Sequence, residues 1–163
     1  MRPLRDKSNK LGKTMKKQRF YIGERDWMVT ALYDVRTDDD FDEMEVQLLM
    51  CGSGLRSVEE AVAVLHGSNK GYTFTNYETR SSVMVMGKAT SGAQMFDSIV
   101  HELKHLVEHV SSYYGLDPKE ELAAYLQGEV GRQMFPVVAA VICDYSAWGN
   151  HAARCLRGRR LTQ

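Results

Sequence analysis

The sequence has few of the features that mark a secreted or a membrane-embedded protein. It has only three cysteines in 163 residues, and Cys51, Cys143 and Cys155 lack the spacing of a disulfide framework or of a Cys-x-x-Cys pair. The longest apolar run, residues 135–143, is far shorter than the roughly 20 residues that cross a bilayer. The N-terminus is charged but has no apolar signal segment. We therefore expect a cytoplasmic protein with reduced thiols and no membrane partner.

The chain also lacks net charge, because 21 Lys and Arg residues balance 21 Asp and Glu residues. The charges are unevenly spread, with basic segments at 2–19 and 154–160 and an acidic segment at 34–45. No aromatic residues interleave with the basic segments, so solvated surface is the favoured interpretation and nucleic-acid binding the lesser alternative. We expect residues 1–17 to form a basic, poorly ordered segment and residues 18–163 to form a single domain.

One stretch carries recognisable chemistry, namely residues 101–105, which read His-Glu-Leu-Lys-His. Around it, apolar residues recur at three- and four-residue intervals and predict an amphipathic helix over residues 96–110. The apolar positions are Phe96, Ile99, Val100, Leu103, Leu106, Val107 and Val110. A helix places His101 and His105, four residues apart, on one face opposite this seam. Two imidazoles at that spacing can bind one zinc ion, and Glu102 can act as a general base. The alternative is two solvated histidines on an ordinary helix.

A catalytic zinc ion needs a third protein ligand. The motif that continues as H-E-x-x-H-x-x-G-x-x-H is excluded, because Glu108 and Ser111 occupy the positions of its glycine and third histidine. The other source is a carboxylate of the next helix, which a turn at Gly115 would bring back across the histidine helix.

Three glutamates of that next helix are candidates for the third ligand. We choose Glu121, because it shares a helix face with the small residues Ala124 and Gly128, which would let the two backbones approach closely. Glu120 points about 100° away from that face. Glu129 is the reserve, because a steeper crossing of the helices would place it opposite the histidines.

The rest of the chain reads as an α+β domain with short elements. Strands are expected at 19–22, 27–35, 72–76 and 82–86, and the last two form a hairpin. Residues 37–42 read as an acidic loop, 41–50 as either strand or helix, and 51–54 as a turn. Ser57 is expected to cap a helix, Ser91 or Ser98 to cap the histidine helix, and Asp117-Pro118 to start the helix that ends near 131. Pro136 is expected to open a last helical stretch to about residue 156.

Residues 101–105, together with Glu121-Leu122-Ala123-Ala124-Tyr125, resemble the gluzincin branch of zinc metallopeptidases. The second segment is similar to the Glu-x-x-Ala pattern of that branch, and the resemblance covers residues 82–131. Small phage and mobile-element proteins of this minimal kind look similar. The interval between His105 and the glutamate is shorter than in the family, and no substrate domain is identifiable.

The resemblance implies a minimal zincin-like fold, in which a mostly antiparallel sheet packs on the motif helix and a following ligand helix. It also implies that the edge strand, taken as 82–86, binds an extended peptide by strand addition. The implied protein is a zinc metallopeptidase that uses His101, His105 and Glu121 as ligands and Glu102 as general base, with a peptide or protein as substrate.

Two other functions stay open. One is a zinc-binding regulatory or structural protein without peptidase activity, and the other is a metal-free module that binds nucleic acid or a partner through the basic ends. In the enzyme hypothesis the candidates for stabilising the oxyanion are His109, Tyr113, Tyr114 and Tyr125, and Asp97 or Glu108 could orient a ligand histidine.

Overall fold

The computed structural model describes residues 14–23, 26–67 and 70–145. In these ranges the chain forms four strands and four helices, so the α+β class is confirmed, and the zincin-like arrangement stays a prediction. The elements are β1 (Lys16–Ile22), β2 (Trp27–Val35), α1 (Asp38–Met50), α2 (Leu55–His66), β3 (Gly71–Asn76), β4 (Ser81–Gly87), α3 (Gly92–Tyr113) and α4 (Glu121–Tyr145). None of the described helices has the length and apolar content needed to cross a membrane.

The N-terminal strand begins earlier than the sequence indicated. Lys16 and Lys17 already pair with β2, although both lie within the segment 1–17 that was expected to be poorly ordered. Residues 1–13 of that segment, and the basic segment 154–160, lie outside the described residues.

The strands form one mixed sheet in the order β1-β2-β4-β3. The β1–β2 and β3–β4 pairs are antiparallel, and β2–β4 is parallel. The predicted hairpin is confirmed, but the expectation that 82–86 is an edge strand is wrong. Those residues belong to β4, because the chain crosses from β2 through α1 and α2 to the outer position, forms β3 there and then turns inward. The edge strand beside α3 is therefore β3.

Helices cover both faces of the sheet. Alternate residues of the central strands point to opposite faces, and both sets are apolar and buried. One core lies between the sheet and helices α3 and α4, and its sheet residues include Val29, Ala31, Tyr33, Met84 and Met86. The other lies between the sheet and helices α1 and α2, and its fully buried sheet residues are Leu32, Val35, Val83 and Val85. The second helical layer is an addition to the minimal domain expected from the sequence.

Helix α1 begins inside the stretch expected to be an acidic loop. The Thr37 hydroxyl accepts from the Asp40 N–H at 3.2 Å, and the Asp40 carboxylate accepts from the Thr37 N–H at 2.9 Å. This capping box, with three aspartates in the first turn, stabilises the helix N-terminus. The loop assignment of residues 37–42 is therefore wrong, and the ambiguous residues 41–50 are helical.

Two other helix starts also differ from the expectation. Helix α2 begins after Gly54, so Ser57 lies within its first turn and is not its cap. Helix α4 begins only at Glu121, because Asp117 is held in a turn by a hydrogen bond from the Lys119 N–H to its Oδ1 at 2.9 Å. Pro118, the residue after Asp117, belongs to the same turn.

Pro136 lies inside α4 rather than at the start of a new helix. The proline ring is exposed, and so is Arg132, whose carbonyl loses its helical donor. A helix tolerates this loss more easily on its solvent side, where water can replace the missing N–H. The predicted end near residue 156 lies outside the described residues.

The buried face of α3 differs slightly from the predicted seam. Phe96 is 52% exposed and Val100 is 40% exposed, and Met95 takes the core position at the start of the helix. The buried residues are Met95, Ile99, Glu102, Leu103, Leu106, Val107, Val110 and Ser111. Ser91, not Ser98, is the N-cap, and its hydroxyl accepts from the Gln94 N–H at 3.1 Å. The core face is thus turned so that Glu102 points inward.

Candidate metal centre

The two histidines of the motif converge on the surface of α3. Their Nε2 atoms lie 3.0 Å apart, and the rings meet edge to face with centroids 4.7 Å apart. Two nitrogens bound to one tetrahedral zinc ion at 2.0–2.1 Å would be about 3.3 Å apart. His101 is exposed and His105 is half-buried, so the four-residue spacing places both imidazoles together where an ion can reach them.

A cleft of about 360 Å³ lies beside this pair, between α3 and the edge strand β3. Gly71 and Thr73 form part of the β3 wall, and His101, Glu102 and His105 form part of the α3 wall. Strand β3 pairs with β4 on one side and has no neighbouring strand on the other among the described residues. The histidine pair therefore lies in a cleft that follows an edge strand.

Glu102 points from α3 into the same cleft wall and is only 3% exposed. The Thr73 hydroxyl donates to its Oε2 at 2.6 Å. Burial raises the pKa of Glu102, and the hydrogen bond from Thr73 and the two neighbouring histidines oppose that rise. This carboxyl group is thus largely removed from water but has a fixed donor.

Gly71 makes room for the Glu102 carboxyl group. A Cβ at position 71 would lie 2.3 Å from Oε1 of Glu102, closer than real Cβ contacts allow. Sequence reasoning found Glu102 but missed Gly71 and Thr73. Gly71, Thr73 and Thr75 alternate on one face of β3. Of these, Thr73 and Thr75 lie in the predicted strand 72–76, and their small hydroxyl side chains, next to the glycine that precedes that strand, were the available signal.

A second hydroxyl of β3 contacts the next polar residue along α3. Thr75 Oγ1 lies 3.0 Å from His109 Nδ1, and His109 is half-buried beside the cleft. Burial and the nearby His105 lower the pKa of His109, and Glu108 opposes this effect. The lowered pKa favours the neutral imidazole, and the contact with Thr75 holds the ring in place.

Two carboxylates of α3 lie near the histidine pair. Glu108 Oε2 is 3.7 Å from His105 Nδ1, which is close to that ring nitrogen but beyond hydrogen-bond distance. Asp97 lies one helical turn before His101 and lines the same cleft.

The structure does not bring Glu121 to the histidine pair. Helices α3 and α4 are antiparallel, because Gly92 packs against Ile142 and Gly131 approaches Leu103. His105 is then level with residue 129, and Glu121 lies eight residues earlier, about 12 Å along the axis. Its carboxylate accepts from the Tyr125 hydroxyl at 3.0 Å.

The small residues that favoured Glu121 do not lie in the helix interface. Ala124 is exposed, and a Cβ at Gly128 would meet no atom within 4 Å. The buried positions of α4 are Ala123, Val130, Met134, Val138 and Val141. The close approach of helices expected along the Ala124–Gly128 face is therefore wrong.

The two other candidate glutamates are also apart from the histidines. Glu120 is exposed in the turn before α4. Glu129 is level with His105, but its carboxylate accepts from Gln133 at 3.4 Å, and Gln133 also donates to the Tyr21 carbonyl of β1. Across the described ranges, no three or more His, Cys, Asp or Glu side chains converge so as to hold a metal ion.

Comparisons of the chain with protein families, curated proteins and solved structures find no match.

Proposed function

We propose that this chain is a zinc-dependent metallopeptidase in which His101 and His105 bind the metal and Glu102 is the general base. The supporting observation is the convergence of two imidazole nitrogens, 3.0 Å apart, next to a carboxyl group that is almost fully buried. Zinc, when bound, would supply a Lewis acid that polarises a carbonyl and lowers the pKa of a water molecule.

Glu102 is suited to move a proton in this site. Its raised pKa lies closer to neutral pH than that of an ordinary glutamate, so it can accept a proton and release it again. Thr73 fixes one carboxyl oxygen through a donated hydrogen bond. In the proposed reaction Glu102 takes a proton from the attacking water and passes it to the leaving amine.

The proposed substrate is an extended peptide, because the cleft follows an edge strand. The outer side of β3 offers backbone N–H and C=O groups from Gly71 to Asn76. A peptide that pairs with an edge strand gains backbone hydrogen bonds whatever its sequence. It would then pass the histidine pair with its backbone extended.

Metal analysis tests the proposed zinc site. We expect one zinc per chain in the wild type and its loss in His101→Ala and in His105→Ala. His66→Ala is the matched control, because it removes a histidine from a different helix. His66 lies at the end of α2, where it stacks on Phe41. Stoichiometric zinc in both alanine variants would exclude the site.

Peptide hydrolysis by Glu102→Gln tests the proposed base. The amide keeps the shape of the side chain and can still accept from Thr73, so we expect the fold and the zinc to be retained. We expect hydrolysis to be lost, because the amide cannot accept the proton. Wild-type turnover by this variant would contradict the role of Glu102.

The second candidate function is a zinc-binding protein without peptidase activity. This candidate keeps the metal and omits the reaction, because a catalytic zinc ion has three protein ligands and the described part of the chain brings no third His, Cys, Asp or Glu to the histidine pair. This second function would be supported if the wild type binds zinc but hydrolyses none of the peptides in a mixed-sequence library.

A further inference from the structure

A chain of hydrogen bonds connects the core to His109. The Trp27 indole N–H donates to Ser82 Oγ at 3.0 Å, and Ser82 Oγ lies 2.7 Å from Thr75 Oγ1. Thr75 Oγ1 in turn lies 3.0 Å from His109 Nδ1. Trp27 is fully buried and Ser82 is 1% exposed, so water does not interrupt the inner part of this relay.

The indole sets the direction of the relay, because an indole N–H can only donate. Ser82 accepts from Trp27 and has one hydrogen, for which Thr75 is the acceptor within reach. The Thr75 hydroxyl is then free to donate its own hydrogen, and the acceptor of this hydrogen bond is His109 Nδ1. The reverse direction would leave the buried Ser82 hydrogen without an acceptor, which costs about 1–3 kcal/mol.

The direction of the relay determines which nitrogen of His109 carries its proton. A neutral imidazole has one donor and one acceptor nitrogen. Since Nδ1 accepts from Thr75, the hydrogen is on Nε2.

We propose that this relay holds His109 as an Nε2–H donor that binds the carbonyl oxygen of the substrate in the cleft. The proposal rests on the proposed peptidase function. His109 lines the same cleft as His101 and Glu102, and its ring centroid is 6.5 Å from that of His105. A donor that is already oriented stabilises charge on a carbonyl oxygen without a reorganisation cost during the reaction.

The same relay argues against His109 as a third zinc ligand. A histidine that binds a metal through Nε2 donates its Nδ1–H to a neighbouring acceptor. Here the neighbour is Thr75, and the relay makes Thr75 the donor. His109 is therefore a hydrogen-bond donor to the substrate.

Nitrogen NMR of the metal-free protein at about pH 8, where an ordinary histidine is neutral, tests the tautomer. We expect a non-protonated Nδ1 and a protonated Nε2 at His109. Thr75→Val should remove this fixed tautomer, and Thr75→Ser, which keeps the hydroxyl, should restore it. A protonated Nδ1 in the wild type overturns the relay. This measurement requires neither zinc nor hydrolysis.

Kinetics and zinc titration of His109→Ala test the contact with the substrate. We expect kcat to fall by about 10²–10³-fold, as for the loss of one oxyanion donor, with KM and zinc affinity unchanged. An unchanged kcat, or a loss of zinc affinity beyond about 100-fold, overturns the assignment. If the wild type cleaves no peptide, the substrate contact fails together with the proposed function, whereas the tautomer result still decides the relay.

Discussion

Gly71 of β3 and Glu102 of α3 are sterically complementary, because a methyl group on Gly71 would lie 2.3 Å from the Glu102 carboxyl oxygen. Next to this contact, Thr73 donates to the other carboxyl oxygen at 2.6 Å. The edge strand thus provides both the space and the hydrogen bond that hold the proposed base in place. This relationship gives the first prediction.

Gly71→Ala should destabilise the protein by about 1–3 kcal/mol, the usual cost of overpacking a buried contact. In a Glu102→Ala background the same substitution should cost much less, because the clashing atoms are absent. Gly128→Ala is the control, since its Cβ would meet no atom within 4 Å and helical alanine is favoured over glycine. Urea denaturation measures all variants. An equal cost of Gly71→Ala in both backgrounds would contradict the steric explanation.

The second prediction concerns the pH dependence of stability. Burial raises the pKa of Glu102 in the folded protein, so the folded state binds this proton more tightly than the unfolded chain. The resulting stabilisation is present at low pH and is lost as the pH rises through the folded pKa. The side chain of the Glu102→Gln variant stays neutral, so this variant does not lose stability in this way as the pH rises.

We therefore expect Glu102→Gln to gain thermal stability relative to the wild type as the pH is raised from about 4 to about 8. The comparison uses metal-free protein, because zinc binding would add its own pH dependence. Glu102→Ala does not serve here, since it also removes buried contacts. A difference between the two proteins that does not change with pH would contradict a raised pKa.

Features that depend on local periodicity could be predicted from the sequence. The four-residue spacing of His101 and His105 fixes their shared helix face in any fold that keeps the helix. The β3–β4 hairpin followed from two short strand-like segments around a turn, and β2 from its aromatic and β-branched residues. These features need no knowledge of which element packs against which.

Features that depend on long-range packing could not be predicted. Whether β3 or β4 lies at the sheet edge is decided by the crossover through α1 and α2, which the periodicity of either strand does not encode. Gly71 and Thr73 acquire their roles only because α3 packs on β3. Glu121 was chosen by assuming that small residues mark the helix interface, but the antiparallel packing of α4 on α3 uses the face of Ala123 and Val130 instead.

The third prediction distinguishes the two serines that the sequence offered as caps of α3. Ser91 accepts from the Gln94 N–H at 3.1 Å, whereas Ser98 donates to the Gln94 carbonyl within the helix. Ser91→Ala should therefore cost about 1 kcal/mol of stability. Ser98→Ala should change stability by less than about 0.5 kcal/mol, since a serine bonded back to its own helix adds little. A loss for Ser91→Ala of less than about 0.5 kcal/mol in denaturant titrations would contradict its role as the cap.

The last prediction concerns the third zinc ligand. Glu121 is the sequence-based choice, but the antiparallel packing of α4 puts it about 12 Å along the helix from the level of His105. Asp97 is the carboxylate that lies one turn before His101 and lines the cleft. A competition titration with a zinc chelator should compare Asp97→Ala, Glu121→Ala and Glu129→Ala.

We expect Asp97→Ala to weaken zinc binding by at least about tenfold, whether it binds the ion directly or orients His101. Glu121→Ala and Glu129→Ala should keep the wild-type affinity, because these carboxylates contact Tyr125 and Gln133 instead. Asp97→Asn separates the two possible roles of Asp97, since an amide can still orient a histidine but is a poor zinc ligand. If Glu121→Ala alone releases the zinc, the first turn of α4 must move towards His105 when the metal binds. The ligand set inferred from the sequence would then be correct.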